Sequence, residues 1–135
     1  MTRIGSTLIA IRRNLTDDLL QPKYRKRLKR KPTSGHCYVA TEALYHILSL
    51  KEREKYKPYY LKVNDDTHWY LMTDDKIFIL DPTYDQFDFL PDYDSGKRAG
   101  FLTKTPSKRT LILLQRIKNG TQLHTKNIRR STPLS

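Results

Sequence analysis

Charge is spread so unevenly along this chain that it decides where a core can form. Residues 1–35 carry ten Lys/Arg and two acids, residues 36–96 carry six and twelve, and residues 97–135 carry ten and none. Unpaired charge is costly to bury, so the two basic ends are poor core material and the folded unit is expected between them. A length of 135 residues and a 37% hydrophobic share fit one domain with tails. The expected organisation is a basic N-terminal arm over 1–32, an α+β domain over 33–118 and a basic C-terminal tail over 119–135. The longest apolar run, Leu111-Ile112-Leu113-Leu114, is core-sized and far short of the roughly 18 residues a membrane span needs. No membrane partner is therefore expected. A single cysteine leaves no internal disulfide; with no signal-peptide core after Met1, a reducing cytoplasmic compartment is the expectation.

Within the arm, residues 7–11 and 15–20 form short apolar patches, Thr16 is a candidate N-cap before Asp17-Asp18, and Pro22 is a break. Composition changes at Thr33-Ser34-Gly35. Ala40, Ala43, Leu44, Ile47 and Leu48 then recur at helical spacing, which predicts a helix over 37–50, with Pro58 as its stop. Three runs rich in aromatic and β-branched residues, 59–63, 68–72 and 76–80, predict strands, and Asp81-Pro82 ends the third. Residues 84–105 read as an irregular excursion. After it, Thr105 as N-cap, Pro106 at the first helical position and Gly120 as a stop predict a final helix, with a strand over 110–117 as the competing reading. The fold class expected is a central helix starting at Cys37, packed on a small antiparallel sheet, with a further C-terminal helix.

Cys37 falls in the first turn of the predicted helix, directly after Gly35-His36. A helix N-terminus carries partial positive charge and unpaired N–H groups. It favours a thiolate there, and with the flexible backbone at Gly35 and the neighbouring His36 it can receive an oxyanion. A thiolate needs a base, and the base an orienting group. If residues 73–76 form the hairpin loop, Met72 faces Ile77 and His68 faces Asp81, close enough for an imidazole–carboxylate hydrogen bond. Each residue also has a structural reading: buried small hydrophobe, satisfied strand histidine, turn aspartate. Their joint occurrence in facing register favours a triad. A zinc site from His36, Cys37, His46 and His68 lacks two-plus-two ligand spacing, so no metal or other cofactor is implied.

The block Gly35-His36-Cys37-Tyr38-Val39-Ala40-Thr41-Glu42-Ala43-Leu44, then His68-Trp69-Tyr70, then Ile79-Leu80-Asp81-Pro82, resembles the transglutaminase-like branch of the papain-like thiol enzymes. The resemblance implies Cys37 as nucleophile, His68 as base and Asp81 as its orienter. It also implies an acyl or amide substrate handled through a thioester, in a peptidase, an amidase or deamidase, or an acyl/amine transferase. Gln21, upstream of the cysteine, is the candidate for the side-chain oxyanion donor of that superfamily. The longer string, with Thr83-Tyr84-Asp85-Gln86-Phe87 and residues 100–109, is similar to small uncharacterised bacteriophage proteins, which implies the cytoplasm of an infected host cell.

Aromatic residues crowd the middle of the chain, and Trp69, Tyr70 and Tyr84 are expected to line the substrate. Lys97, Arg98, Lys104, Lys108 and Arg109 are expected to meet phosphates, the last two from a helix N-terminus. DNA or RNA would then bind with an affinity that falls as salt rises. This supports a second reading, a non-catalytic nucleic-acid-binding module on the same scaffold.

Overall fold

The computed structural model describes residues 2–20 and 35–131, with side chains to residue 120. The chain is α+β. Helix α1 spans Arg3–Arg13, with the Thr2 side chain accepting the Gly5 N–H as its N-cap. Ile4, Leu8 and Ile11 recur at helical spacing and pack on the main core, where Ile11, Leu15, Leu19 and Leu20 are buried. Residues 2–20, the described part of the expected basic arm, thus pack on the core that follows. The apolar stripe docks, and Arg12 and Arg13 occupy the last turn, where cations complement the helix dipole. Thr16 precedes a 3₁₀ turn at Asp17–Leu19 but makes no side-chain cap to it. Asp18 is held at 2.5 Å by Arg116, which keeps its carboxyl down at about 2. The dense basic run at residues 23–31 lies outside the described residues.

Helix α2 spans Cys37–Ile47 and α3 spans Leu50–Lys55, so the single helix expected over 37–50 is two. Leu48 adopts an extended ψ of 148°, and Ser49 opens the second helix with a reciprocal capping box to Glu52. That box satisfies the free N–H groups of a new helix start. The break turns the chain into strand β1, Tyr56–Val63, so Pro58 lies inside a strand rather than stopping a helix.

Strand β2 is Asp66–Thr73, joined to β1 by Asn64-Asp65, both at positive φ (50° and 70°). This is the two-residue turn that matches strand twist. Strands β3 (Ile79–Leu80) and β4 (Lys97–Arg98) are short edges, and the antiparallel order is β3-β2-β1-β4. Alternation along β2 sends Leu71 into a core with Ile11, Leu15, Val39, Ala43, Leu44 and Leu113. It sends Tyr70 and Met72 into a second cluster with Tyr59, Leu61 and Tyr93. The segment between β3 and β4 covers that second face.

The expected pairing of Met72 with Ile77 is corrected: Met72 pairs with Ile79 and Leu71 with Leu80. The connecting turn is longer than the four-residue loop expected over 73–76. Thr73 accepts Lys76 N–H through its carbonyl and donates its own N–H to Phe78 O, with Lys76 at φ 65° and Asp75 accepting Ile77 N–H. A shift of two keeps every side chain on its face.

Helix α4 spans Lys108–Ser131. Ser107, not Thr105, caps it, accepting Thr110 N–H on Oγ at 3.3 Å. The Ser107 N–H donates to Glu42 Oε1 at 2.9 Å, and Tyr38 donates its hydroxyl to Oε2 of that fully buried carboxylate. Glu42 thus joins α2 to the start of α4, and the strand reading of 110–117 is corrected. Gly120 does not end the helix. A stop needs the left-handed backbone, and a helical glycine costs only about 1 kcal/mol. The expected loose tail from 119 is therefore helical through Ser131. No described helix is long and apolar enough to cross a membrane.

Candidate active site

Gly35 sits at φ 81°, a left-handed conformation that a side chain strains. It turns the chain into His36, a buried residue whose carbonyl accepts Ala40 N–H at 2.9 Å as the α2 N-cap residue. Cys37 is then the first helical residue. Its Sγ lies 3.4 Å from the carbonyl oxygen of Thr67, the peptide that precedes His68.

His68 donates from Nε2 to Asp81 Oδ2 at 2.6 Å, with both side chains buried. Continuing the observed β2–β3 register places Thr83, not Asp81, opposite His68. The pair meets on the diagonal, two residues off and on the same face, within the reach of long side chains. Asp81 is fully engaged. Oδ2 also accepts the Tyr93 hydroxyl at 2.7 Å, and Oδ1 accepts the Thr83 N–H at 3.1 Å and Thr83 Oγ1 at 3.4 Å. Burial pushes the Tyr93 hydroxyl pKa up, as does the carboxylate it touches, so it is a fixed donor.

The remaining ring nitrogen, Nδ1, is buried without a hydrogen-bond partner among the described residues. The sulfur nevertheless acts on this imidazole. Burial lowers the pKa of His68, but hydrogen bonding and charge from Asp81 and Cys37 outweigh it and raise the value to about 9. Strict geometry directs the thiol at Thr67 O, while the electrostatics couple it to His68. The imidazole is thus charged at neutral pH. The site is enclosed: Cys37 is 8% exposed and His68 1%.

The three expected substrate-lining residues are not brought together. Trp69 and Tyr70 are consecutive on β2 and point to opposite faces. Trp69 packs edge-on against Tyr38 of α2 at 5.2 Å, while Tyr70 is wholly buried and donates to Tyr93 O at 2.7 Å. Tyr84 is exposed and lies under the Arg12 guanidinium at 4.8 Å. Gln21 lies outside the described residues. Lys97 and Arg98 form the exposed edge β4, with Arg98 paired to Asp74 at 3.1 Å. Lys104 and Lys108 are exposed and Arg109 is half-buried; Lys108 and Arg109 open α4.

Two contributors escaped the sequence reading. Tyr93 is one, since nothing in its spacing marks it as an Asp81 partner. Arg12 is the other: its guanidinium donates to Pro82 O at 3.1 Å and to both Asp85 oxygens at 3.0 and 2.8 Å. It clamps the segment that follows Asp81. The spacing of Ile4, Leu8, Ile11 and Leu15 was the available signal that α1 docks, and with it Arg12. Comparison with family models, with curated proteins and with solved structures returns no match for this chain.

Proposed function

We propose that this chain is a cysteine-dependent acyl-transfer enzyme of transglutaminase-like type, with Cys37 as nucleophile, His68 as acid–base and Asp81 as the orienting carboxylate. The observation that carries the reading is the buried His68–Asp81 hydrogen bond of 2.6 Å on an imidazole whose pKa the sulfur helps to raise. A buried histidine held by a carboxylate and raised also by the sulfur of a helix-opening cysteine is the kind of perturbed group that functional sites gather.

The imidazolium form sets the order of steps. The Cys37 thiolate attacks an amide or ester carbonyl carbon, the C–S bond forms, and the carbonyl electron pair moves onto oxygen. The unpaired N–H groups of the first α2 turn, held by the Gly35 backbone, are the donors for that oxyanion. His68 then gives its proton to the leaving group as the C–N or C–O bond breaks, leaving a thioester and a neutral imidazole. Water or an amine, deprotonated by that imidazole, attacks the thioester and releases the sulfur. Asp81 holds the ring with Nε2–H toward itself, so that Nδ1 serves the reaction.

The test is alkylation of Cys37 by iodoacetamide at pH 7, followed by mass spectrometry. The expected wild-type rate exceeds that of a free thiol, and His68→Ala lowers it by about 10–100-fold through loss of the cationic partner. A rate no faster than a free thiol, or one that survives His68→Ala, overturns the reading.

A further inference from the structure

We propose that the outward face of α4 is a binding surface for double-helical DNA. The inference goes beyond the thiol-enzyme reading and does not rest on it.

Helix α4 buries Thr110 and Leu113 and packs Leu114 and Ile117 on the main core. Its other side, with Lys108, Leu111, Ile112, Gln115, Lys118 and Asn119, is exposed. Gln115 donates to Asn119 Oδ1 at 3.0 Å, so the two amides stand together on that side. Arg116 instead turns to Thr16 and Asp18, tying the helix to the N-terminal segment.

The cations of this face have no acidic counterpart in the sequence. All 14 Asp and Glu lie among the described residues, and none falls within residues 97–135. Lys104, Lys108 and Lys118 pair with no acid among the described residues. Residues 21–34, outside the described part, hold seven Lys/Arg and no acid, so they add to the positive field instead of neutralising it. Helical residues 121–131 contribute Lys126, Arg129 and Arg130, again without an acid. The excursion over 84–96, with its four aspartates, is anchored through Tyr93 on the opposite face of the sheet from Leu113. The field of the molecule therefore turns α4 toward a polyanion.

Shape selects the kind of polyanion. The 24 residues of α4 extend about 36 Å, close to one turn of B-DNA. A helix about 10–12 Å across fits the roughly 12 Å major groove of DNA, whereas the deep, narrow major groove of A-form RNA shuts it out. Lysines on the rim then meet phosphates, the Gln115 and Asn119 amides face base edges, and Leu111 and Ile112 meet thymine methyl groups. Lying in a membrane surface takes a broader apolar face than two residues beside a pair of amides.

The experiment is fluorescence anisotropy of the full-length protein with a labelled DNA duplex of about two helical turns. The RNA duplex of the same sequence, and co-sedimentation with phosphatidylcholine–phosphatidylserine vesicles, are run beside it. DNA affinity is expected to fall at least about 100-fold between about 50 and 200 mM salt. Lys108→Glu with Lys118→Glu should weaken binding at least about tenfold and make the salt dependence shallower by a slope of about 2. Lys51→Glu with Lys55→Glu makes the same charge change at exposed positions of α3 and should weaken binding less than about threefold. Gln115→Ala with Asn119→Ala leaves charge and helix propensity intact, and should lower affinity about three- to tenfold with the salt slope unchanged. No binding at low salt, an equal loss from the α3 pair, or indifference to both α4 pairs overturns the proposal. So does an RNA duplex or a vesicle surface bound as tightly as DNA. Labelling of Cys37 by iodoacetamide should be the same in the α4 variants as in the wild type, so the failure of either reading leaves the other standing.

Discussion

Replacing Asp81 by asparagine should slow alkylation of Cys37 near pH 7 by about 10–100-fold while the fold persists, as a wrong tautomer does in a hydrogen-bonded triad. The reason is local. Thr83 donates two hydrogen bonds to Oδ1, so an amide at position 81 keeps its oxygen there and turns its NH₂ toward His68. Nε2 must then accept rather than donate, which puts the ring proton on Nδ1, the atom that serves the sulfur. The charge that helps hold the imidazolium is lost in the same substitution. Far-UV circular dichroism checks the fold, and the rate of iodoacetamide labelling checks the effect. A rate within twofold of the wild type contradicts the assignment of Asp81.

Gly96→Ala should act on the same centre from farther away. A Cβ at residue 96 would overlap the Tyr70 hydroxyl and lie 2.8 Å from its Cζ. That hydroxyl is bonded to Tyr93 O, and the ring is fully buried between Tyr59 and His68 at 6.0 and 5.9 Å. It has no room to retreat, so overpacking and the lost hydrogen bond together should cost about 2–4 kcal/mol in urea unfolding. Tyr93 also carries the hydroxyl that meets Asp81, so labelling of Cys37 should slow as well. Adding Tyr70→Phe removes the clashing oxygen and should restore much of both losses, a coupling that a double-mutant cycle reads directly. A single variant within about 0.5 kcal/mol of the wild type would refute this packing.

What the sequence discloses and what it hides follow from how local each determinant is. The start of α2 at Cys37 is readable because Gly35, the apolar stripe and the helix period all lie within a few residues. The strand order of His68 before Asp81 is readable for the same reason. Register is not, because it depends on Thr73 and Asp75 closing the turn by side-chain hydrogen bonds and on Lys76 accepting a positive φ. The His68–Asp81 contact survives the wrong register only because the error is even. Tyr93 and Arg12 reach Asp81 and the segment behind it across 12 and 73 residues of sequence respectively, and such tertiary contacts leave no periodic trace. Trp69 and Tyr70, expected to line one cleft, are consecutive strand residues, and the alternation of a strand sends them to opposite faces. The continuation of α4 past Gly120 shows helical context overriding a stop signal that lacked the left-handed turn.

The raised imidazole pKa has a consequence for stability. Because the folded value lies near 9 and the unfolded one near 6.5, the stabilisation of the charged ring is complete below about pH 6.5. It is lost as pH rises through about 9. The most direct test of the coupling among Cys37, His68 and Asp81 is therefore an NMR titration of the His68 ring in the wild type and in Cys37→Ser. The account predicts a wild-type midpoint near 9 that falls when the sulfur is removed. A midpoint near 6.5, or one indifferent to residue 37, contradicts it.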